Sequence, residues 1–287
     1  MASGRVDLQY CVTPRSESWE DLRHYWAKDI SALWCRHTQA HALIASLIEG
    51  APRFTELWLE ADADEAAALG VFVGFAPDHA LSNRERCDVI IDALALSGPL
   101  STKLHALVSA LNDETQVHFA GRFFGREGRE SVRLNLRGGW AKGASAWLPA
   151  PIFQALSTCD LAPGEQTRAI LAIDLTTDEI PRAGLEAGPN VTPQTRAEWM
   201  TWIDALPRAL QTRVATLAIP WVRSLVAEEG SPWPLAVIVD GLGRPEWSFP
   251  LLDRQISHLK QSSAGAGDLE TKLYLSFGLE WPSARDA

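Results

Sequence analysis

VHFAGRFFGREGRESVRLNLR, residues Val117 to Arg137, holds two runs rich in aromatic and branched residues on either side of a turn carrying Gly125 and Gly128. In the second run Val132, Leu134 and Leu136 alternate with Arg133, Asn135 and Arg137. That is the period of a strand with one apolar and one polar face. Read at the same period, the first run puts His118 and Arg122 on its polar side. The stretch is a β-hairpin, and both flanks of it read as helix.

Upstream, Ser82-Asn-Arg-Glu85 is a capping box, in which the serine and the glutamate three residues on satisfy donors at a helix start. That helix is expected to reach about Leu111. Downstream, a short helix is expected over residues 151–159. The same alternation of helix and hairpin recurs along the chain. A strand at 5–10 precedes a helix from about Trp19 to Ile48, which Gly50 stops. Segments 54–60 and 69–75 form a hairpin around an acidic, alanine-rich turn, and segments 168–175 and 181–187 form another. Thr192-Pro193 caps and starts a helical stretch, broken at Pro207 and Pro220, that runs to about Glu229. Segments 256–260 and 269–277 make the last hairpin, across a turn of small residues.

Paired strands between helices exclude Rossmann and TIM arrangements, whose strands alternate singly with helices. No segment resembles a linker. The expectation is therefore one barrel domain over residues 1–287, with 282–287 as a disordered tail. At 287 residues a folded chain buries about three quarters of its surface, so no disulfide or metal staple is needed.

Composition narrows the partners. Lys and Arg total 26 against 36 Asp and Glu, and a net charge of −10 opposes binding to nucleic acid or an anionic membrane. Cys11, Cys35, Cys87 and Cys159 form no C-x-x-C pair, which indicates neither zinc nor a disulfide framework. No apolar run approaches a membrane span and the start lacks a signal-peptide core, so a cytoplasmic, unexported protein is expected.

Side chains alternate across a strand, so the faces can be read separately. One face carries Leu57, Leu59, Val132, Leu134, Leu136, Leu171, Ile173, Leu175, Leu273 and Leu275, and it suits packing beneath helices. The other carries Glu56, Trp58, Glu60, Arg122, Arg133, Asn135, Arg137, Asp174, Glu186, His258, Lys260, Lys272 and Tyr274. An open sheet with water on that face is one explanation. The other is an α+β fold in which about ten antiparallel strands close into a barrel, with helices outside and the polar face inside. Closure removes exposed edges, and a merely solvated face needs no Trp58 or Tyr274.

The order of helices and hairpins resembles the ABBA-type (PT-barrel) prenyltransferases, built from successive αββα units around a lumen that holds the active site. The strands Lys272-Leu-Tyr274 and Ser257-His-Leu-Lys260 are similar to the Lys-x-Tyr and Ser-Arg-x-Lys patterns that bind diphosphate in the indole branch. Arg254-Gln-Ile-Ser-His-Leu-Lys260 followed by Lys272-Leu-Tyr-Leu-Ser-Phe-Gly278 is also similar to uncharacterised bacterial proteins of ribosomal-peptide natural-product clusters. Two features depart from the indole pattern: residues 69–75 offer no cation, and Arg133-x-Asn135-x-Arg137 has no tyrosine.

The resemblance implies transfer of an allylic prenyl group from a diphosphate to an aromatic or guanidino acceptor, either a small molecule or a peptide side chain. Charge develops on the leaving diphosphate, and Arg122, Arg133, Lys260 and Lys272 are the candidates to hold it, with Arg137 next. Trp58 and Tyr274 would shield the allylic cation, to which ring faces contribute roughly 0.5–2 kcal/mol each. Glu56, beside Trp58 on one strand face, is the preferred base, with Glu60 and Glu186 as alternatives. No D-D-x-x-D motif builds a magnesium cage, so no cofactor is required, although Mg2+ is compatible with a bound diphosphate. The rival reading keeps the barrel, or an open α+β sheet, and makes it a non-catalytic binder of a peptide or hydrophobic anion.

Overall fold

A computed structural model describes residues 4–12, 38–50, 52–62, 69–76, 79–124, 130–139, 142–159, 167–189, 252–264 and 269–279, with isolated positions between 201 and 208. The expected helix before residue 38, the helical stretch from Thr192 and the tail at 282–287 lie outside these residues. In chain order the elements are β1 (Gly4–Val12), α1 (Thr38–Glu49), β2 (Glu56–Asp62), β3 (Leu69–Gly74), α2 (Asn83–Ala93), α3 (Gly98–Ser109), β4 (Thr115–Phe124) and β5 (Ser131–Gly138). They continue with α4 (Ala150–Leu156), β6 (Thr167–Leu175), β7 (Arg182–Pro189), β8 (Leu252–Ser263) and β9 (Glu270–Leu279).

The nine strands close into one barrel in sequence order. Every neighbouring pair from β1 to β9 is antiparallel, and the seam between β9 and β1 is parallel. The parallel seam corrects the expectation of wholly antiparallel closure. A ring of strictly alternating directions needs an even number of strands, so a ring of nine must contain one parallel pair.

The outer face is the apolar one. Leu57, Leu59, Val71, Val73, Val132, Leu134, Leu136, Leu171, Ile173, Leu175, Leu185 and Leu259 are all buried. They pack in one continuous core with Ile44 and Ile48 of α1, Ile90 of α2, Leu100 and Leu104 of α3, and Ile152 of α4. Among the described helices, α1 lies on β3, α2 on β4, and α4 on β7 and β8. Removing one such leucine side chain would cost about 2–5 kcal/mol.

The capping box forms as expected: Ser82 N donates to Glu85 Oε2 at 2.8 Å, and Glu85 N donates to Ser82 Oγ at 3.3 Å. The expected single helix to Leu111 is instead two. Ala95 has φ +48°, past the end of α2, and α3 opens with a proline in its first turn, where the missing N–H costs nothing.

One irregularity positions the lumen. Val117 stands opposite Leu136 but Phe119 stands opposite Asn135, so β4 bulges at His118. A bulge inserts one residue, and every side chain after it changes face. The bulge is pinned from outside. Arg86 of α2, fully buried, donates to the carbonyls of Val117 at 2.7 Å, His79 at 2.8 Å and Leu81 at 3.0 Å. His118 Nδ1 lies 3.2 Å from the Phe75 carbonyl, and Phe75 N donates to the His118 carbonyl at 2.9 Å.

Candidate active site in the barrel lumen

Register decides which side chains share the interior. Trp58 stands opposite Phe72, Phe72 opposite Gly121, Gly121 opposite Arg133, and Arg133 opposite Asp174. Beside that row run Glu56, Gly74, Phe119 and Asn135 on one side, and Glu60, Gly70 and Phe123 on the other. On the remaining strands Glu186 faces Lys260 and Lys260 faces Lys272.

The lumen therefore has two walls. Strands β2 to β4 supply aromatic rings. Trp58 and Phe119 stack at 6.4 Å, and Phe72 meets Phe119 edge-on at 5.9 Å and Phe123 edge-on at 5.4 Å. Phe72 lies flat against the opposite strand because Gly121 has no side chain: a Cβ there would fall 2.1 Å from the Phe72 ring. Strands β5 to β9 supply charge. Arg133 Nε donates to Asp174 Oδ1 at 2.8 Å, while its Nη1 donates to Glu60 Oε1 at 3.1 Å and to the Tyr274 hydroxyl oxygen at 3.4 Å. Its guanidinium also sits over the Phe123 ring, 4.7 Å from the centroid. Lys260 Nζ donates to Glu186 Oε1 at 2.9 Å, and Asn135 Nδ2 donates to Glu186 Oε2 at 2.6 Å.

These groups are removed from water: Arg133 and Lys260 are 2% exposed, Lys272 1% and Tyr274 0%. Burial opposes the charge on Arg133, but Asp174, then Glu60 and Tyr274, outweigh it and raise its pKa well above the ordinary value. Lys260 goes the other way. Burial, then the nearby Arg133, lowers its pKa to about 8, with Glu186 resisting.

Each expected site residue can now be placed. Arg133, Lys260, Lys272 and Tyr274 share the interior with Glu60 and Glu186, and Trp58 and Glu56 line the aromatic side. Trp58 Nε1 donates to Glu56 Oε2 at 2.9 Å, which fixes the carboxylate that was expected to act as base. Glu60 and Glu186, the alternative bases, are ion-paired to Arg133 and Lys260. Arg137 lies at one end of the row, its Nε 2.6 Å from Gln116 Oε1.

Arg122 is not in the lumen. It stands opposite Val71 and Val132, both on the helix-covered face. There it donates to the carbonyls of Leu94 and Ala95 at 3.1 and 2.8 Å, closing the end of α2, and pairs with Glu130 at 3.3 Å. The bulge at His118 is the cause, since it turns Phe119, Gly121 and Phe123 inward and Arg122 outward. The same phase change hid the aromatic wall. Asp174 was legible as a polar-face residue, but its bond to Arg133 required the β5–β6 register.

The fold and site define a class: closed barrels, mainly antiparallel, whose interior holds a charged network opposite an aromatic wall. No family model matches the sequence, and no curated protein matches it. Among solved structures, 5-dimethylallyltryptophan synthase from Streptomyces coelicolor is similar over 92% of this chain and 77% of that chain, at 16% identity and a TM-score of 0.44. That overlap concerns two backbones and assigns no residue a role. No helix among the described residues is long and apolar enough to cross a membrane.

Proposed function

We propose that the barrel is a prenyltransferase chamber in which an allylic diphosphate and an acceptor meet. The single observation that carries the reading is the division of one lumen into an aromatic wall on β2 to β4 and a wall on β5 to β9 that carries Arg133, Lys260 and Lys272 among their paired acids. An allylic diphosphate has the same two-part chemistry. Its head would take hydrogen bonds from Lys260, Lys272 and Arg133, with Tyr274 beside them, and its hydrocarbon would lie against Phe72, Phe119 and Trp58.

As the allylic C–O bond breaks, its electron pair leaves on the diphosphate oxygen, and the cationic wall stabilises the charge that develops there. The ring faces stabilise the allylic cation and exclude water that would quench it. The acceptor's electron pair forms the new bond to the allylic carbon, and its proton passes to Glu56. The described acids beside the cationic wall are engaged by Arg133, Lys260 and Asn135. They do not fit a preformed magnesium site, and any magnesium would arrive with the diphosphate.

One observation favours the second reading, a barrel that binds a peptide or hydrophobic anion without chemistry. Glu60, Asp174 and Glu186 already balance the charge of Arg133, Lys260 and Lys272, so an incoming diphosphate must compete with carboxylates in place. Incubation of the full chain with dimethylallyl, geranyl and farnesyl diphosphates and with tryptophan, tyrosine and arginine peptides, read by mass, separates the readings. A prenyl mass increment on a peptide supports transfer. Diphosphate binding with no increment on any peptide supports the binder.

A further inference from the structure

Asn135 is 0% exposed, and its amide is held in one orientation. Glu186 accepts from it through Oε2 and from Lys260 through Oε1, and a carboxylate has no proton to give back, so the amide nitrogen must face Glu186. The Asn135 Oδ1 atom, turned away from that bond, has no hydrogen-bond partner among the described residues. On the same strand face Arg133 donates to Asp174, Glu60 and Tyr274, and Arg137 Nε to Gln116. A buried acceptor left without a donor is destabilising, and a bound molecule that supplies one recovers that loss.

The surroundings restrict that molecule. Phe119, stacked on Trp58, stands opposite Asn135 on β4, and the small Ala172 stands opposite it on β6. A flat apolar body with its edge at the amide would therefore lie against the aromatic pair.

The geometry points to Asn135 as a specificity-determining residue that accepts a hydrogen bond from an N–H or O–H on the molecule held in the lumen. This rests on the lumen being the acceptor chamber. It concerns binding and does not require that prenyl transfer occur.

The test is calorimetric titration of the full-length protein with indole and with benzofuran, which has the same shape but an oxygen in place of the N–H. Indole should bind about fivefold more tightly than benzofuran. In Asn135→Leu, of similar volume, the indole-to-benzofuran ratio should fall to about one. Equal affinities in the unaltered protein, a ratio preserved in Asn135→Leu, or no binding of either probe would each overturn the assignment. If Asn135→Leu does not fold, the shape-matched pair in the unaltered protein decides alone. Prenylation of an acceptor lacking a donor would break this inference and leave the prenyltransferase reading intact. A clear indole preference with no affinity for allylic diphosphates would break only that reading.

Discussion

Lys260 Nζ lies 2.9 Å from Glu186 Oε1, and both side chains are at most 5% exposed. An ion pair so dry is held between opposing terms: attraction to the carboxylate favours the ammonium, while lost hydration and the nearby Arg133 disfavour it. The second set wins and brings the lysine pKa to about 8.

Two pH effects follow from that value. Between about pH 8 and the ordinary lysine range the unfolded chain holds a proton that folded Lys260 has released, so this group makes stability rise with pH across that window. Urea unfolding at stepped pH should show that slope in the unaltered protein and a smaller one in Lys260→Met. Affinity for an anion should run the opposite way, strongest below pH 8 and falling above it, in a titration with a non-hydrolysable allylic diphosphate analogue.

Lys272 and Arg122 should separate cleanly. Lys272 faces Lys260 directly across β8 and β9, and hairpin partners on one face can converge on one ligand. Lys272→Ala should weaken analogue binding about tenfold or more. Arg122→Ala should leave that binding unchanged and lower stability by about 1–2 kcal/mol, because it loses the bonds that end α2. An unchanged dissociation constant for Lys272→Ala would reject the shared anion site.

Breaking the Arg133 network from the acid side should be costly. Arg133 is held by Glu60 and Asp174, and removing one partner of a buried pair typically costs about 3–5 kcal/mol. Asp174→Asn and Glu60→Gln should each lower the urea midpoint. The double variant should lose less than the sum of the two if both acids act on one guanidinium.

Glu56 is tested by Glu56→Gln, which retains the shape and can still accept from Trp58 Nε1. Analogue affinity should be unchanged and turnover should fall about a hundredfold, the usual contribution of a general base. Comparable turnover would exclude the role.

The aromatic wall depends on a missing side chain. Gly121→Val should cost about 1–3 kcal/mol because its Cβ would meet the Phe72 ring at 2.1 Å, so the ring must leave its place. Thermal melts of Gly121→Val alone and together with Phe72→Ala would show partial recovery in the pair.

The hairpins of β2 and β3, β4 and β5, and β8 and β9 were readable as alternating runs, and so was the capping box at Ser82, because strand period and cap chemistry are local. The same locality identified Leu134 and Leu136 as outward, and Arg133, Lys260 and Lys272 as members of one polar face. What the sequence by itself determined is which residues must hide from water and at what period. Three matters needed the tertiary structure. The parallel β9–β1 seam joins the two ends of the described chain and depends on the strand count. The place of Arg122 depends on a bulge at His118 that a buried Arg86 pins from a neighbouring helix, and one inserted residue reverses a face without altering composition. The partners of Arg133, Glu60 across the lumen and Asp174 on the adjacent strand, lie 73 and 41 residues away in sequence. The β5–β6 register sets Asp174 beside Arg133, while closure brings Glu60 to it, because only a ring brings the inward faces of distant strands to one axis.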